Sequence, residues 1–202
     1  FTLGGNSMGG GVTWRYTLAH PEKVEAMLLI DSSGLPQFRQ QLETMDNQLD
    51  QDKKEAPVFF SLMGKPWFRA IAKYLDPYWI TKQGVNSAYN YSPMVTEELI
   101  QRYYELALRD GSRDATLSRF STHNTIEEPV DTAKFTAPAL IMWGREDSLI
   151  PVDVAGFFTT ALARSTLVIY DNVGHMPMEE IPNQSAKDVS KFLLEVHAAE
   201  AP

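Results

Sequence analysis

The sequence predicts an α/β protein in which a mostly parallel β-sheet is flanked by helices. Three short apolar runs, at 26–30, 139–143 and 166–170, are typical of strands buried on both faces. Helix-like segments lie between and after these runs, which is the pattern of a parallel sheet covered by helices. With 44% hydrophobic and 22% charged residues, the 202-residue chain has the composition of a globular protein with a real core.

Local signals define the first elements. Phe1 to Gly4 is a short β-prone run, and a glycine-rich helix start comes directly after it. We predict a helix from Met8 to His20, because Pro21 disfavours helical geometry at the residue before it. The next apolar run is then the second strand.

The later elements alternate in the same way. Pro138 stands at the mouth of the run at 139–143, where it does not interrupt the hydrogen-bond ladder. A helix is predicted from Val154 to Ala163, and Asn183 is predicted to cap the last helix. That last helix has one apolar stripe with the spacing i, i+3, i+4 and i+7, formed by Val189, Phe192, Leu193 and Val196.

The stretch from 36 to 134 differs in character, because strand signals are sparse and aromatic residues frequent. One helix is predicted to start at Thr96 and to be closed by Gly111. The aromatic side chains either form the core of a small helical unit or line an apolar substrate channel, and both interpretations remain open. The candidate pocket residues are Trp67, Phe68 and Trp79, together with Met176 outside this stretch.

Charge and composition argue against several classes of function. A formal net charge of −8 and an isoelectric point near 5.0 disfavour a nucleic-acid partner. The absence of Cys removes thiol nucleophiles, disulfides and Cys-based zinc sites, and fits a cytoplasmic protein. No His pair, nor His with a carboxylate, has metal-ligand spacing, and no apolar stretch is long enough to span a membrane. We therefore expect no metal, no cofactor and no membrane span.

Ser7 lies in the sequence Gly5-Asn6-Ser7-Met8-Gly9, between the first predicted strand and helix. A serine hydroxyl is a poor nucleophile until a base takes its proton and its oxygen is exposed to substrate. A sharp strand–turn–helix connection exposes the oxygen, and Gly5 and Gly9 would avoid the steric clash that such a turn creates. The N-terminal end of the helix also directs unpaired N–H groups toward negative charge near Ser7. The pattern predicts a nucleophilic serine.

This pattern resembles the α/β-hydrolase family. The matching segments are 2–15, 24–34, 136–152 and 166–182. The family's chain order of nucleophile, acid and histidine is matched by Ser7, Asp147 and His175. The resemblance implies that Ser7 attacks the acyl carbon, that His175 is general base and then acid, and that Asp147 orients His175. It also implies that the Met8 backbone N–H is one oxyanion donor. Asp31, directly after the second predicted strand, is the alternative acid.

The resemblance also divides the chain into three parts. These are a hydrolase core with the nucleophile elbow at 1–35, an inserted helical cap at 36–134, and a hydrolase core with the acid and histidine loops at 135–202. In the family several strands precede the elbow, and a loop often spelled His-Gly supplies the second oxyanion donor. No His-Gly occurs in this sequence. We therefore expect the C-terminal portion of the fold, without the natural N-terminus.

Two consequences are expected if the chain is the C-terminal portion of this fold. Without neighbouring central strands, the strand that carries Ser7 would present an exposed edge, and such an edge favours a homo-oligomer or a strand-exchanged dimer. The loss of one oxyanion donor would slow catalysis by roughly 100- to 1000-fold. A truncated, catalytically impaired hydrolase-like chain is therefore one alternative function.

The elbow and the histidine loop narrow the expected reaction. Haloalkane dehalogenases and epoxide hydrolases share this architecture but use an Asp nucleophile, so Ser7 argues against both. Meta-cleavage-product hydrolases, which break C–C bonds, often carry the same Gly-Asn-Ser-Met-Gly-Gly elbow and a cap Arg, for which Arg102 is a candidate. In them a Trp typically follows the catalytic His by three residues, where this chain has Met178, as in general esterases and lipases. We expect hydrolysis of small, largely apolar carboxylic esters, with C–C hydrolysis as the alternative.

Overall fold

A parallel sheet of four strands, in the order β1-β2-β3-β4, forms the centre of the protein. The computed structural model describes residues 1–38, 65, 67–68, 74, 76–90, 92–122 and 128–200. The strands are β1 (Thr2–Asn6), β2 (Ala26–Ile30), β3 (Ala139–Gly144) and β4 (Ser165–Tyr170). The predicted strands and their parallel arrangement are confirmed.

Seven α-helices lie in the described residues, with a short 3₁₀ turn at Thr132–Lys134. They are α1 (Met8–Ala19), α2 (Tyr78–Ala88), α3 (Glu97–Leu108), α4 (Ser112–Thr122), α5 (Asp153–Ala161), α6 (Pro177–Glu180) and α7 (Pro182–Glu200). The predicted cap at Asn183 is wrong: α7 begins at Pro182, whose fixed φ suits the first helical position, so Asn183 lies in the first turn. Of these helices, none combines the length and the apolar character needed to cross a membrane.

One face of the sheet is covered by α1 and α5. Trp14 of α1 and Phe158 of α5 are buried in one apolar cluster with Ile141 and Trp143 of β3. Trp143 is 0% exposed, and its Nε1 donates a hydrogen bond to the carbonyl of Ile150 (3.1 Å). All of β3 is buried, as expected for a strand packed on both faces.

The opposite face is covered by α7. Phe192 and Val196 pack in a second cluster with Leu140 and Met142 of β3. Val189 and Leu193, the other members of the predicted stripe, pack against the same cluster. The stripe at helical spacing is therefore confirmed as the sheet-facing side of α7.

Helices α2 to α4 form a smaller unit between β2 and β3 in sequence. Val85, Tyr89 and Ile100 are its buried apolar cluster. The predicted start of α3 is confirmed, since Thr96 Oγ1 accepts a hydrogen bond from the N–H of Leu99 (3.2 Å). The helix ends at Leu108 rather than continuing to Gly111; the glycine lies in the turn before α4, with a φ of 77°.

The strand that leads to Ser7 lies at one edge of the described sheet. β1 pairs in parallel with β2, so that Leu3 is opposite Met27 and Asn6 is opposite Ile30. The oligomer expected from an exposed edge stays a prediction.

Candidate active site

Ser7 is the single residue between β1 and α1, and its backbone is strained. Its φ of 54° and ψ of −115° lie in a region that side-chain-bearing residues rarely adopt, at a cost of about 1–3 kcal/mol. Its N–H donates to the carbonyl of Ile30 (2.9 Å), and its carbonyl accepts from the N–H (2.9 Å) and Oγ (3.2 Å) of Ser33. Hydrogen bonds to the end of β2 therefore hold the turn in this conformation.

The turn depends on glycines where α1 approaches its neighbours. A Cβ on Gly5 would overlap the Gly9 carbonyl group, and one on Gly10 would overlap the side chain of Ser32. A Cβ on Gly9, by contrast, would meet no described atom within 4 Å outside its own helix. The predicted steric need is confirmed at Gly5 and wrong at Gly9, because the close approach involves the backbone of residue 9 rather than its side-chain position.

Asp147 and His175 form a buried pair. Asp147 follows β3 and His175 follows β4, and the carboxyl ends of parallel strands meet at one edge of the sheet. The Nδ1 of His175 lies 2.7 Å from Oδ2 of Asp147. The other carboxylate oxygen accepts the N–H groups of Leu149 (2.7 Å) and Ile150 (3.1 Å). The carboxylate is thereby held in one orientation toward the imidazole.

Asn6 joins the serine turn to the histidine loop. Its Nδ2 donates to the carbonyl oxygens of His175 (3.0 Å) and Ile30 (3.3 Å). The residue before Ser7 thus contacts the backbone of His175. Ser7 Oγ makes no hydrogen bond to the part of the chain that the structure describes, so its contact with the imidazole stays a prediction.

Glu180 was not singled out in the sequence, although it holds the His175 loop from both sides. Both of its carboxylate oxygens lie within hydrogen-bond distance of the Gly174 N–H (2.9 and 3.1 Å), and Oε1 also accepts the Met176 N–H (3.2 Å). Burial raises the pKa of Glu180, and these two N–H donors oppose that effect. The available signal was an acidic residue five positions after the histidine.

The helical unit contacts the same loop directly. The His175 N–H donates to the carbonyl of Ala88 at the end of α2 (2.6 Å), and the hydroxyls of Ser87 and Ser148 lie 2.8 Å apart. Spacing in the sequence did not reveal these contacts, because they join residues far apart in the chain.

A cluster of two tyrosines and a glutamate extends this junction. The Tyr89 hydroxyl donates to Oε2 of Glu179 (2.5 Å), and the Tyr103 hydroxyl donates to Oε1 (3.1 Å). Burial raises the pKa of both tyrosines, with the Glu179 carboxylate adding to the effect, so both stay protonated donors. We call Tyr89, Tyr103 and Glu179 the tyrosine–glutamate junction; it ties α2 and α3 to the segment that follows His175.

Asp31 lies beside the Asp147–His175 pair without replacing Asp147 in it. It is 0% exposed, and its Oδ1 accepts the Gly144 N–H (2.9 Å). Ligand-type atoms of Asp31, Asp147 and His175 all lie within 4.8 Å of one another. These side chains are of types that bind metals, yet Nδ1 of His175 is already bonded to Asp147. Burial raises the pKa of Asp31 to about 9, the Asp147 charge adds to this, and the Gly144 N–H opposes it.

The remaining candidates are the proposed pocket residues and the backbone of Met8. Trp67 and Trp79 are 60% and 64% exposed, and the ring of Phe68 packs edge-on against Trp67 (5.8 Å between centroids). Met176 packs against the apolar cluster of the helical unit, and Met8 is the first residue of α1. Their contacts with substrate and the oxyanion role of the Met8 N–H stay predictions.

Arg102, the candidate cap arginine, is exposed on α3, where it lines a shallow hollow of about 280 Å³ together with Tyr89 and Glu179. Of the three histidines to which the sequence assigns no role, His197 is exposed, His20 is partly buried, and His123 lies outside the described residues.

Among known proteins, the chain is similar to a bacterial hydrolase and a bacterial lipase. The chain is 26% identical over 197 residues to the uncharacterized hydrolase YugF of Bacillus subtilis, covering 95% of this chain and 64% of that protein. It is 23% identical over 198 residues to Lipase 3 of a Moraxella species, covering 94% of this chain and 55% of that protein. The chain therefore spans a little over half to nearly two-thirds of the length of these relatives.

A solved structure has the same fold. The 2-hydroxy-6-oxo-6-phenylhexa-2,4-dienoate hydrolase BphD of Rhodococcus sp. strain RHA1 superposes with a TM-score of 0.67 at 22% identity, over 98% of this chain and 63% of that one. The family model for the alpha/beta hydrolase fold matches residues 1–182. A parallel sheet flanked by helices, together with this match over most of its length, shows that the chain belongs to the α/β-hydrolase family.

Proposed function

We propose that this hydrolase cleaves small, largely apolar carboxylic esters with Ser7, His175 and Asp147 as its catalytic triad. One observation carries the proposal: a strained serine lies between strand and helix, and its neighbour Asn6 is bonded to the backbone of a histidine that is itself paired with a buried aspartate. Similarity to proteins named as lipases supports the ester class.

The His175–Asp147 contact fits a general base. With Nδ1 bonded to the Asp147 carboxylate, Nδ1 carries the proton and Nε2 is the free basic nitrogen. Nε2 takes the proton of Ser7 Oγ as this oxygen bonds to the acyl carbon. It then returns the proton to the departing alcohol as the ester C–O bond breaks. Water, deprotonated in turn by Nε2, then attacks the acyl carbon. The bond from this carbon to Ser7 Oγ breaks, Oγ takes the proton back from Nε2, and the acid leaves.

The backbone at the start of α1 is suited to the charge that develops in this reaction. The first N–H groups of a helix have no partner within it, and Met8 is the first residue of α1. In our proposal its N–H donates to the oxyanion of the tetrahedral intermediate.

We further propose that α2 to α4 are part of a cap over the reacting groups. Two sets of contacts support this: the bond from the His175 N–H to the Ala88 carbonyl, and the tyrosine–glutamate junction. The exposed rings of Trp79 on α2 and of Trp67, which precedes α2 in the chain, are candidates for contact with apolar acyl groups. Such a cap would determine which acyl chains reach Ser7.

The test is ester hydrolysis by the complete gene product. We expect turnover of short p-nitrophenyl esters and a loss of about 10⁴-fold or more in kcat for Ser7→Ala, because the nucleophile is removed. Ser190→Ala is the matched control, since that exposed serine lies on α7 and bonds only to its own helix. Equal ester hydrolysis by the Ser7 variant and wild type would contradict the triad.

The alternative reaction is hydrolysis of a C–C bond. The Gly-Asn-Ser-Met-Gly-Gly elbow and the similarity to the fold of BphD favour it, whereas Met178 disfavours it. The two are separated by supplying a vinylogous 1,5-diketone acid and following the loss of its visible absorbance. If this reaction outruns ester cleavage by orders of magnitude, C–C hydrolysis is the function.

A further inference from the structure

Asp31 is a buried carboxyl that the proposed reaction leaves without a role. It directly follows β2, which pairs with the strand that leads to Asp147, and has a φ of 41°, unusual for a residue with a side chain. Its Oδ1 is satisfied by the Gly144 N–H, but its Oδ2 has no hydrogen-bond partner among the described residues. A buried polar atom without a partner costs about 1–3 kcal/mol, so this one needs an explanation.

The unpartnered carboxyl lies against the catalytic pair. One oxygen of Asp31, one oxygen of Asp147 and one ring nitrogen of His175 are all within 4.8 Å of one another, and all three residues are buried. Two carboxylates at this distance in a buried site do not both ionise readily, because like charges repel and little water screens them. The arrangement therefore favours protonation of one of the two carboxyl groups.

We propose that Asp31 and Asp147 act as one carboxyl pair with a single negative charge, in which Asp31 positions His175 through Asp147 and replaces Asp147 when that side chain is lost. The inference rests on the proposed function of His175 as the base. Asp31 is a positioning residue, since in the native arrangement Asp147 and not Asp31 contacts the imidazole.

The charges that face Asp31 come from several elements. Asp147 approaches from the loop after β3 and raises the pKa of Asp31, while Glu180 of α6 adds a smaller effect of the same sign. His175 faces it from the loop after β4, and Tyr170 at the end of β4 is influenced by its charge. Removal of the Asp147 charge therefore removes one cause of the raised pKa of Asp31 and favours its ionisation.

The test compares Asp147→Asn with the double variant Asp31→Asn/Asp147→Asn in ester hydrolysis. Loss of a triad aspartate with retained geometry costs roughly 10⁴-fold in kcat when nothing replaces it. We expect about 100-fold for the single variant and about 10⁴-fold for the double variant. The residual activity of the single variant should increase with pH as Asp31 ionises, and the double variant should lack this increase.

Glu180→Gln is the control for the loss of a buried carboxylate that holds the His175 loop. Its oxygens are bonded to backbone N–H groups, and its charge affects Asp31 less than that of Asp147 does. Its loss should lower activity by nearly the same factor in the wild-type and Asp147→Asn backgrounds. If the Asp31 substitution behaves in the same additive way, with no change in the pH profile, the inference is wrong.

A second measurement does not depend on turnover or on folding of the double variant. Carboxyl ¹³C NMR of wild type and Asp147→Asn follows the titration of Asp31, whose pKa is raised to about 9 in the intact pair. We expect the midpoint to fall in the variant; an unchanged midpoint overturns the carboxyl pair. The proposed function fails separately, if Ser7→Ala retains activity, whatever Asp31 does.

Discussion

The sheet and the helical unit of α2 to α4 are held together in different ways. In the sheet, every residue of β3 is buried, and large side chains such as Trp143 and Phe158 fill the space beneath the helices. In the part of the helical unit that the structure describes, the buried apolar residues are the small cluster of Val85, Tyr89 and Ile100, and Trp79 is exposed. It contacts the histidine loop through hydrogen bonds and through the side chain of Met176.

The sheet and the helical unit should therefore differ in their roles in stability and activity. Apolar burial dominates folding energetics, so the sheet should determine whether the ends of β1, β3 and β4 hold Ser7, Asp147 and His175 in place. Hydrogen bonds contribute less net stability and depend on geometry. The tyrosine–glutamate junction should therefore affect the position of the histidine loop and the access of substrate more than it affects folding.

The largest expected effect tests the sheet side of this comparison. Trp143→Ala should lower the free energy of unfolding by about 3–5 kcal/mol, because it leaves a large cavity and removes the hydrogen bond to the Ile150 carbonyl. Urea denaturation measures it. Leu194→Ala, at a position 71% exposed, is the control and should change the free energy of unfolding by less than about 0.5 kcal/mol. A similar small loss for Trp143→Ala would mean that the sheet core is not the source of stability.

An intermediate loss of stability is expected for substitutions in the tyrosine–glutamate junction. Tyr89→Phe and Glu179→Gln should each lower stability by about 1–2 kcal/mol, because each weakens a charge-assisted hydrogen bond. A double-mutant cycle should give a coupling of about 1 kcal/mol, with a several-fold fall in kcat/KM for each variant.

The control for this cycle is another tyrosine–glutamate bond in the same unit. The Tyr78 hydroxyl donates to Oε2 of Glu97 (2.8 Å) on the exposed surface, away from the histidine loop. Tyr78→Phe should change stability by less than about 1 kcal/mol and leave kcat/KM unaltered. Equal kinetic effects at both sites would show that the junction has no special link to His175.

The smallest effect concerns the exposed aromatic rings. Trp79→Ala should change the free energy of unfolding by no more than about 0.5 kcal/mol, because the ring is 64% exposed. If the ring contacts acyl groups, KM for longer p-nitrophenyl esters should rise by roughly 3- to 10-fold while that for the acetyl ester changes little. Identical KM values for all chain lengths would remove Trp79 from the substrate pocket.

Much of the fold was predictable because the apolar patterns and helix-ending residues in the sequence match the strands and helices of the folded protein. The apolar runs that become β2, β3 and β4 are short and continuous, as expected for strands buried on both faces. Helix α1 ends where Pro21 requires it, and the stripe on α7 has helical spacing. The cap predicted at Asn183 was wrong because the proline before it is an equally good first helical residue.

The candidate site was predictable only in part. Ser7 could be identified because glycine spacing reports the close approach of backbones at a sharp turn, and His175 could be identified from its place after the last strand. The tyrosine–glutamate junction could not, because its contacts join residues that are distant in the chain. Glu180 lies only six residues from Gly174, but its position in the sequence does not show that the carboxylate folds back onto the N–H groups of the histidine loop.

The sequence by itself determined the α/β class, the order of the strands along the chain and the identity of the serine, acid and histidine candidates, since these depend on residue type and short-range spacing. Only the tertiary structure decided that Asp147 rather than Asp31 contacts His175, and that Asp31 is left buried with an unpartnered oxygen beside them. The physical reason is that both aspartates follow strands of one parallel sheet. Which of them reaches the imidazole depends on differences of a few ångströms in how the loops after those strands fold.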